Sequence, residues 1–240
     1  MSRVNDPRVV EREYASEAGL RGRRVAYERY LAGGEPHEVA LAAVAEVAPR
    51  RVLEVGCGWG EFAARMASEL GAEVVAVDLS PRMVELARER GVDARVGDVQ
   101  ALSFRDGGFD CAVANWMLYH VPDVDRALAE LARVLRSEGR LVAATVSVDH
   151  LRELWTLVGR DRSAEAIPFL AEEGEQRLRR FFARVERRDV RGTLRFPDAG
   201  AVRAYVGSSI AHKHLAEKVP PLDAPFEASV VTTVFVADKA

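Results

Sequence analysis

The chain has 240 residues, a formal net charge of −3, and 48% apolar and 30% charged residues. That length suits one large α/β domain with a substantial core, and the mild acidity argues against a general attraction to nucleic acid or anionic membrane. No apolar run approaches the ~20 residues of a membrane span and the N-terminus shows no signal-peptide pattern, so a cytoplasmic location is expected.

An arm over residues 1–48 comes first. Asp6-Pro7 starts a helix with Pro at the first helical position. The arm carries Val10, Tyr14, Tyr27, Tyr30 and Leu31 and is expected to break near Gly19 and Gly22. Glu35-Pro36 opens a second helix with apolar Val39, Ala40, Ala43, Val44 and Val47, stopped before Pro49. Strands follow near 51–56, 73–78, 94–97, 109–115 and 140–147, with helices between them. The helix from Val124 has apolar residues at 124, 128, 131 and 135 and Asp123 as its cap. Right-handed crossovers turn such a series into a parallel sheet covered on both faces. Beyond it, helices are expected over 149–158 and 163–183, a strand over 184–196, a helical insert over about 198–216, and a last strand over Ser229–Val236.

The most telling run is Val52-Leu-Glu-Val-Gly-Cys-Gly-Trp-Gly60, a strand passing into three alternate glycines and an amphipathic helix. Strand, glycine turn and helix N-terminus together cradle a nucleotide-like ligand. The spacing is G-x-G-x-G, and Glu61 occupies the place of the third dinucleotide glycine, where its charge repels a pyrophosphate. The next strand, Glu73-Val-Val-Ala-Val-Asp-Leu79, ends in a carboxylate placed to accept from ribose hydroxyls. Cys57 lies inside the turn and Cys111 mid-strand; neither belongs to a disulfide or metal pattern.

E-x-G-x-G-x-G with an acid closing the following strand resembles the S-adenosylmethionine (SAM) site of class I methyltransferases. Three later stations strengthen the resemblance: Ala94-Arg-Val-Gly-Asp98-Val99, Phe109-Asp-Cys-Ala-Val-Ala-Asn115, and Val134-Leu-Arg-Ser-Glu-Gly139-Arg-Leu-Val-Ala-Ala-Thr145. It covers residues 50–147 and, more weakly, the rest. It implies an α/β fold with a seven-stranded, mostly parallel sheet, helices on both faces and an antiparallel last strand. The expected organisation is one domain over 1–240: the arm, a SAM-binding core at 50–147, a cap-bearing region at 148–222 and a last strand at 228–238. The roughly thirty residues between the last two strands leave the ligand edge of the sheet. With the arm and residues 149–175 they are expected to form a helical cap over the acceptor.

The resemblance places Gly56, Cys57, Gly58 and Gly60 against SAM, Asp78 on the ribose, and Asp98 on the adenine amino group. Leu79, Met83 and Val99 suit either adenine walls or core. Glu54 either orients the loop or meets the amino group of the methionyl part. Tyr14 and Arg23 resemble residues that close over its carboxylate, for which a planar guanidinium is well shaped. Asn115 stands beside the methyl position; the run Asn-Trp-Met-Leu departs from the [DN]-P-P-[YFW] of nucleobase amino-methyltransferases. His120 is the candidate general base, by its place after the fourth strand and its near-neutral pKa, or else it holds that loop. Trp116, Tyr119, His150 and Tyr205 are candidates for the acceptor pocket. Eight arginines against five acids between Glu172 and Arg195 read as a solvated helix face rather than an RNA stripe. The expected activity is methyl transfer from SAM to a small-molecule acceptor, releasing S-adenosylhomocysteine, with no metal, in a monomer or homodimer. RNA or protein methylation, or SAM binding without transfer, are the alternatives.

Overall fold

A computed structural model describes residues 4–162 and 165–240. The arm forms α1 (Pro7–Glu13), α2 (Ala18–Tyr30), β1 (Leu31–Gly33) and α3 (Pro36–Ala45). The alternating core follows as β2 (Arg51–Val55), α4 (Glu61–Leu70), β3 (Glu73–Asp78), α5 (Pro81–Glu89), β4 (Asp93–Val96), β5 (Phe109–Asn115), α6 (Val124–Val134) and β6 (Leu135–Val146). The remainder holds α7 (Arg152–Leu157), α8 (Ala171–Leu178), β7 (Arg184–Phe196), α9 (Ala199–Gly207) and β8 (Phe226–Asp238). Among the described residues, no helix is long and apolar enough to cross a membrane.

The strands make one sheet in the order β1-β7-β8-β6-β5-β2-β3-β4. The pairs among β2, β3, β4, β5 and β6 are parallel, and β8 runs antiparallel between β6 and β7. The expected seven strands become eight because Leu31–Gly33 adds an antiparallel edge to β7, Gly33 facing Gly192. Three residues carry too little alternation to announce a strand.

The caps follow local chemistry. Asp6 accepts from Arg8 N at 2.9 Å and Asp123 from Arg126 N at 3.0 Å, each satisfying a first-turn donor. Gly19 and Gly22 do not break the arm; the break lies over residues 14–17 and both glycines sit inside α2. A Cβ on Gly19 would strike the Ser208 carbonyl oxygen, and one on Gly22 would lie 2.9 Å from the Ser208 Cβ. The glycines therefore let α2 approach the end of α9. The helix expected over 163–183 is confined to α8 (positions 163 and 164 are outside the described residues). Pro168 and the left-handed Phe169 (φ 58°) prevent an earlier start. Phe169 is instead fully buried beside Phe235, its carbonyl accepting from Thr145 Oγ1 at 2.6 Å.

Period-2 alternation with both faces covered explains the nearly continuous apolar strands. Leu53, Val55, Val75 and Val77 pack with α6 on one face; Val52, Val74 and Ala76 pack with α3, α4 and α5 on the other. A third cluster joins α2, α7 and α9 to the far ends of β7 and β8 through Trp155, Phe196, Tyr205 and Val230. The arm, α7 and the insert thus share an apolar core of their own. The arginine stripe is ion-paired: Arg177 and Arg180 meet Asp125, Arg179 meets Glu175, Arg187 meets Asp189, and Arg188 meets Glu46 and Glu186.

Candidate cofactor and acceptor site

The parallel strands end on one edge, where the β2–α4 loop crosses. Gly56 N and Cys57 N both donate to Val77 O, at 2.7 and 3.2 Å, hooking the loop to the end of β3. Asp78 completes the hook: one carboxylate oxygen accepts from Gly58 N and the other from Ser80 N, both at 2.9 Å. A carboxylate offers about four lone-pair sites, so two bonds leave capacity for ribose hydroxyls. The loop glycines differ in purpose. Gly60 has a left-handed backbone (φ 78°), and an added Cβ would lie 2.7 Å from Ala87 Cβ; it closes α4 onto α5. At Gly58 (φ 53°) the only neighbour among the described residues would be Leu20 Cδ2 of the arm, at 3.2 Å.

Two polar side chains on this edge are buried and unsatisfied: Glu54 Oε2, and both side-chain heteroatoms of Asn115. Glu54 pairs with Val113 in register, and Asn115 lies two residues further along β5, so the two side chains share one face of adjacent strands. A buried polar atom left unpaired costs about 1–3 kcal/mol, which a bound ligand with complementary groups would relieve. Burial, and then the nearby Asp78 charge, push the Glu54 pKa up to about 8; the Ala63 amide at the start of α4 acts the other way. This arrangement suits a cationic partner such as the amino group of a methionyl chain.

Because the folded pKa of Glu54 exceeds its unfolded value, the folded state holds the extra proton between roughly pH 4.5 and 8. Its contribution to stability therefore falls as pH rises through that window. Glu54→Gln is expected to gain stability over the parent between pH 5 and 8.5, by about 1 kcal/mol or more, measured as urea midpoints. A pH-independent difference would contradict the burial argument.

The adenine candidates separate by exposure. Leu79 is 53% exposed just beyond β3, whereas Met83 is fully buried and Val99 belongs to the core. Leu79 is thus free to offer a wall; the other two act by packing. Asp98 is exposed, and both its oxygens bond Gln100, one to the backbone N at 2.8 Å as well.

The arm is tied across this edge at several points. Tyr14 O accepts from Ser80 Oγ at 2.7 Å, Arg24 pairs with Glu61 at 2.5 Å, and Arg82 pairs with Glu17 at 3.3 Å. Arg23 pairs with the buried Glu13 at 2.6 Å, which in turn accepts from Ile210 N in the insert, also at 2.6 Å. His120 joins the same web. Its Nδ1 must donate to Val4 O at 2.8 Å, so Nε2 accepts from Tyr14 Oη at 3.0 Å. Burial lowers its pKa to about 4. Both ring nitrogens are occupied in clasping the arm.

On the acceptor side the candidates divide. Trp116, in a left-handed conformation (φ 51°), packs 4.4 Å from the His37 ring against the α3–α4 core. Tyr119 stacks edge-on to His120 at 4.6 Å. His150 Nε2 lies 2.9 Å from Tyr27 Oη, its Nδ1 lies 3.2 Å from both Val231 O and N, and burial lowers its pKa to about 3. Tyr205 is buried beside Tyr27 and Phe196. Burial raises the pKa of Tyr14, Tyr27, Tyr119 and Tyr205, so all four are neutral phenols here. Sequence reading missed Tyr27 and Arg162 as members of this group. Tyr27 carries only a core-like helical spacing, and Arg162 lies in a loop with no motif around it.

Fold and site together define an α/β protein of the kind that binds a nucleoside cofactor across the ends of its central strands. Residues 53–143 match a methyltransferase-domain family. The chain is 36% identical over 135 residues to the ubiquinone biosynthesis O-methyltransferase of Xanthomonas oryzae pv. oryzae, covering 53% of this chain and 56% of that protein. It is likewise 36% identical over 169 residues to the malonyl-[acyl-carrier protein] O-methyltransferase of Salmonella typhimurium, covering 68% and 66% respectively. The match thus spans little more than half the length of the first of these relatives. A SAM-dependent methyltransferase from Thermotoga maritima superposes with a TM-score of 0.60 at 22% identity, covering 95% of this chain and 99% of that one. Residues 53–143 thus form a methyltransferase domain, set in a chain whose whole fold is that of the solved SAM-dependent methyltransferase.

Proposed function

We propose that the chain transfers a methyl group from SAM to a small-molecule acceptor by in-line displacement, releasing S-adenosylhomocysteine, with oxygen or nitrogen more apt than carbon as the nucleophile. The observation that carries this reading is the set of unsatisfied polar atoms on Glu54 and Asn115 beside the loop held by Asp78. They ask for a ligand with a cationic end and both donors and acceptors, which SAM possesses. When bound, SAM supplies the reactive methyl itself on a positively charged sulfur. Glu54, Asn115, the loop residues and Asp78 would hold it, Leu79 would flank the adenine, and Asp98 would turn from Gln100 to the adenine amino group. Relatives named for ubiquinone biosynthesis and malonyl-carrier substrates support a small acceptor. Most arginines of the stripe are engaged in ion pairs, which weighs against an RNA track.

The protein's part is to align the acceptor and exclude water, and holding reactants in place supplies as much as ~7–11 kcal/mol of a barrier. The arm and insert close the edge, and the buried tyrosines shape the space beyond Asn115. His120 acts as the clasp of the arm. Accordingly, His120→Ala should lower turnover through a looser arm without altering the shape of the kcat–pH profile between pH 6 and 9. Loss of a titrating limb would restore it as the base. The reading itself is tested by incubating small-metabolite extract with methyl-labelled SAM and identifying labelled product by mass. Tight SAM binding with no S-adenosylhomocysteine released would favour a cofactor-binding role without transfer.

A further inference from the structure

A cavity of about 530 Å³ opens after β6, between α7 and the loop that follows it, with Trp155, Arg160 and Arg162 in its lining. Two buried side-chain atoms of that lining have no hydrogen-bond partner: Trp155 Nε1 and Arg162 Nε. Both are donors, and a guanidinium and an indole have no acceptor to offer, so only a ligand that presents acceptor atoms satisfies them.

The charges around them sharpen the requirement. Arg152 is paired with Asp149, and Arg160 with Glu165 at 2.6 Å while stacking 4.5 Å over the Trp155 ring. Arg162 has no ion pair among the described residues; its one hydrogen bond is from Nη1 to the His150 carbonyl at 2.8 Å. Burial and then the Arg160 charge push its pKa down, with the Glu165 charge acting the other way. A buried guanidinium N–H without a partner is best met, with the rest of its planar fork, by a carboxylate or phosphate. Arg162 is tied to the central edge of the sheet through His150: its Nη1 bonds the His150 carbonyl, and the His150 ring lies 2.9 Å from Tyr27 Oη. The cavity follows β6, whose Ala144 pairs with Asn115, so it opens on the same edge of the sheet as Asn115.

We infer that the methyl acceptor is an anion, bearing a carboxylate or phosphate that Arg162 receives in this cavity with the Trp155 indole N–H beside it. The inference rests on the transferase reading above. It makes Arg162 a specificity-determining residue: the anion is fixed there and the nucleophile is directed past the tyrosines toward Asn115. The paired arginines Arg152 and Arg160 line the entrance without competing for the same group.

The test divides a small-metabolite extract on a strong anion-exchange resin at pH 7 and offers each fraction to the full-length chain with methyl-labelled SAM. Labelled product should arise from the bound fraction. Arg162→Gln should lower kcat/KM on that fraction at least tenfold, Arg162→Lys should lower it less, and the Kd for S-adenosylhomocysteine by calorimetry should be unchanged, showing an intact fold. Product arising from the unbound fraction, or full activity in Arg162→Gln, overturns the anion site while leaving the transferase reading standing. Tight S-adenosylhomocysteine binding with no product from either fraction overturns both.

Discussion

Asp78→Ala is expected to weaken SAM binding about a hundredfold, close to 3 kcal/mol. The carboxylate holds the glycine loop from the end of β3: Gly58 N and Ser80 N donate to its two oxygens at 2.9 Å each, while Arg90 Nε separately donates to Trp59 O at 2.9 Å. Hydrogen bonds to a charged group contribute about 1.5–3 kcal/mol apiece. Removing the carboxylate frees Gly58 N–H and also deletes the acceptor proposed for the ribose, so the loop must be reordered during binding. Asp78→Asn keeps one carbonyl oxygen but not the charge and should fall between the two. Calorimetric titration with S-adenosylhomocysteine measures the difference. A Kd within about threefold of the parent would show that neither loop nor sugar depends on this residue.

Gly60 and Gly58 should respond to an added methyl group chiefly in different properties, the first in stability and the second in cofactor affinity. In Gly60→Ala the new carbon would lie 2.7 Å from Ala87 Cβ and 2.9 Å from Ala87 Cα, so the α5 backbone itself must move. The left-handed conformation adds about 1–2 kcal/mol and overpacking about 1–3 more, so a loss of about 3 kcal/mol in folding stability is expected. In Gly58→Ala the neighbour is only the flexible end of Leu20, and the stability cost should stay near the backbone term alone, about 1–2 kcal/mol. Its larger effect should be on cofactor affinity, because the methyl group projects between loop and arm. Urea midpoints and S-adenosylhomocysteine titrations on both variants separate these effects; equal midpoints would contradict the packing assigned to Gly60.

Several candidate residues changed meaning once neighbours were known. His120 stands in the right loop for a base, but its imidazole is taken by Val4 and Tyr14, residues 116 and 106 positions away in sequence. Met83 has an apolar side chain suited to an adenine wall, yet it is fully buried, while Leu79 four positions earlier is exposed. Glycines at 19 and 22 suggest a broken helix on propensity alone. Contact with Ser208, nearly two hundred residues later, makes them an interface instead. Spacing identified each position, while burial or a partner distant along the chain set its surroundings.

Local rules suffice where a feature is made by consecutive residues. The alternating strands of the 51–147 core, the β2–α4 glycine turn, the acid at the end of β3 and the cap at Asp123 all follow from periodicity and turn chemistry, because their hydrogen bonds and buried faces repeat within a few residues. What required the folded chain was every contact closed between remote segments. The edge strand at 31–33, the arm's clasp, the unsatisfied atoms of Glu54 and Asn115, and the unpaired Arg162 beside Trp155 belong to this group. Such contacts depend on which surfaces the sheet brings together, and burial, which sets both their energy and their protonation, is a property of the packed molecule and not of any short stretch of chain.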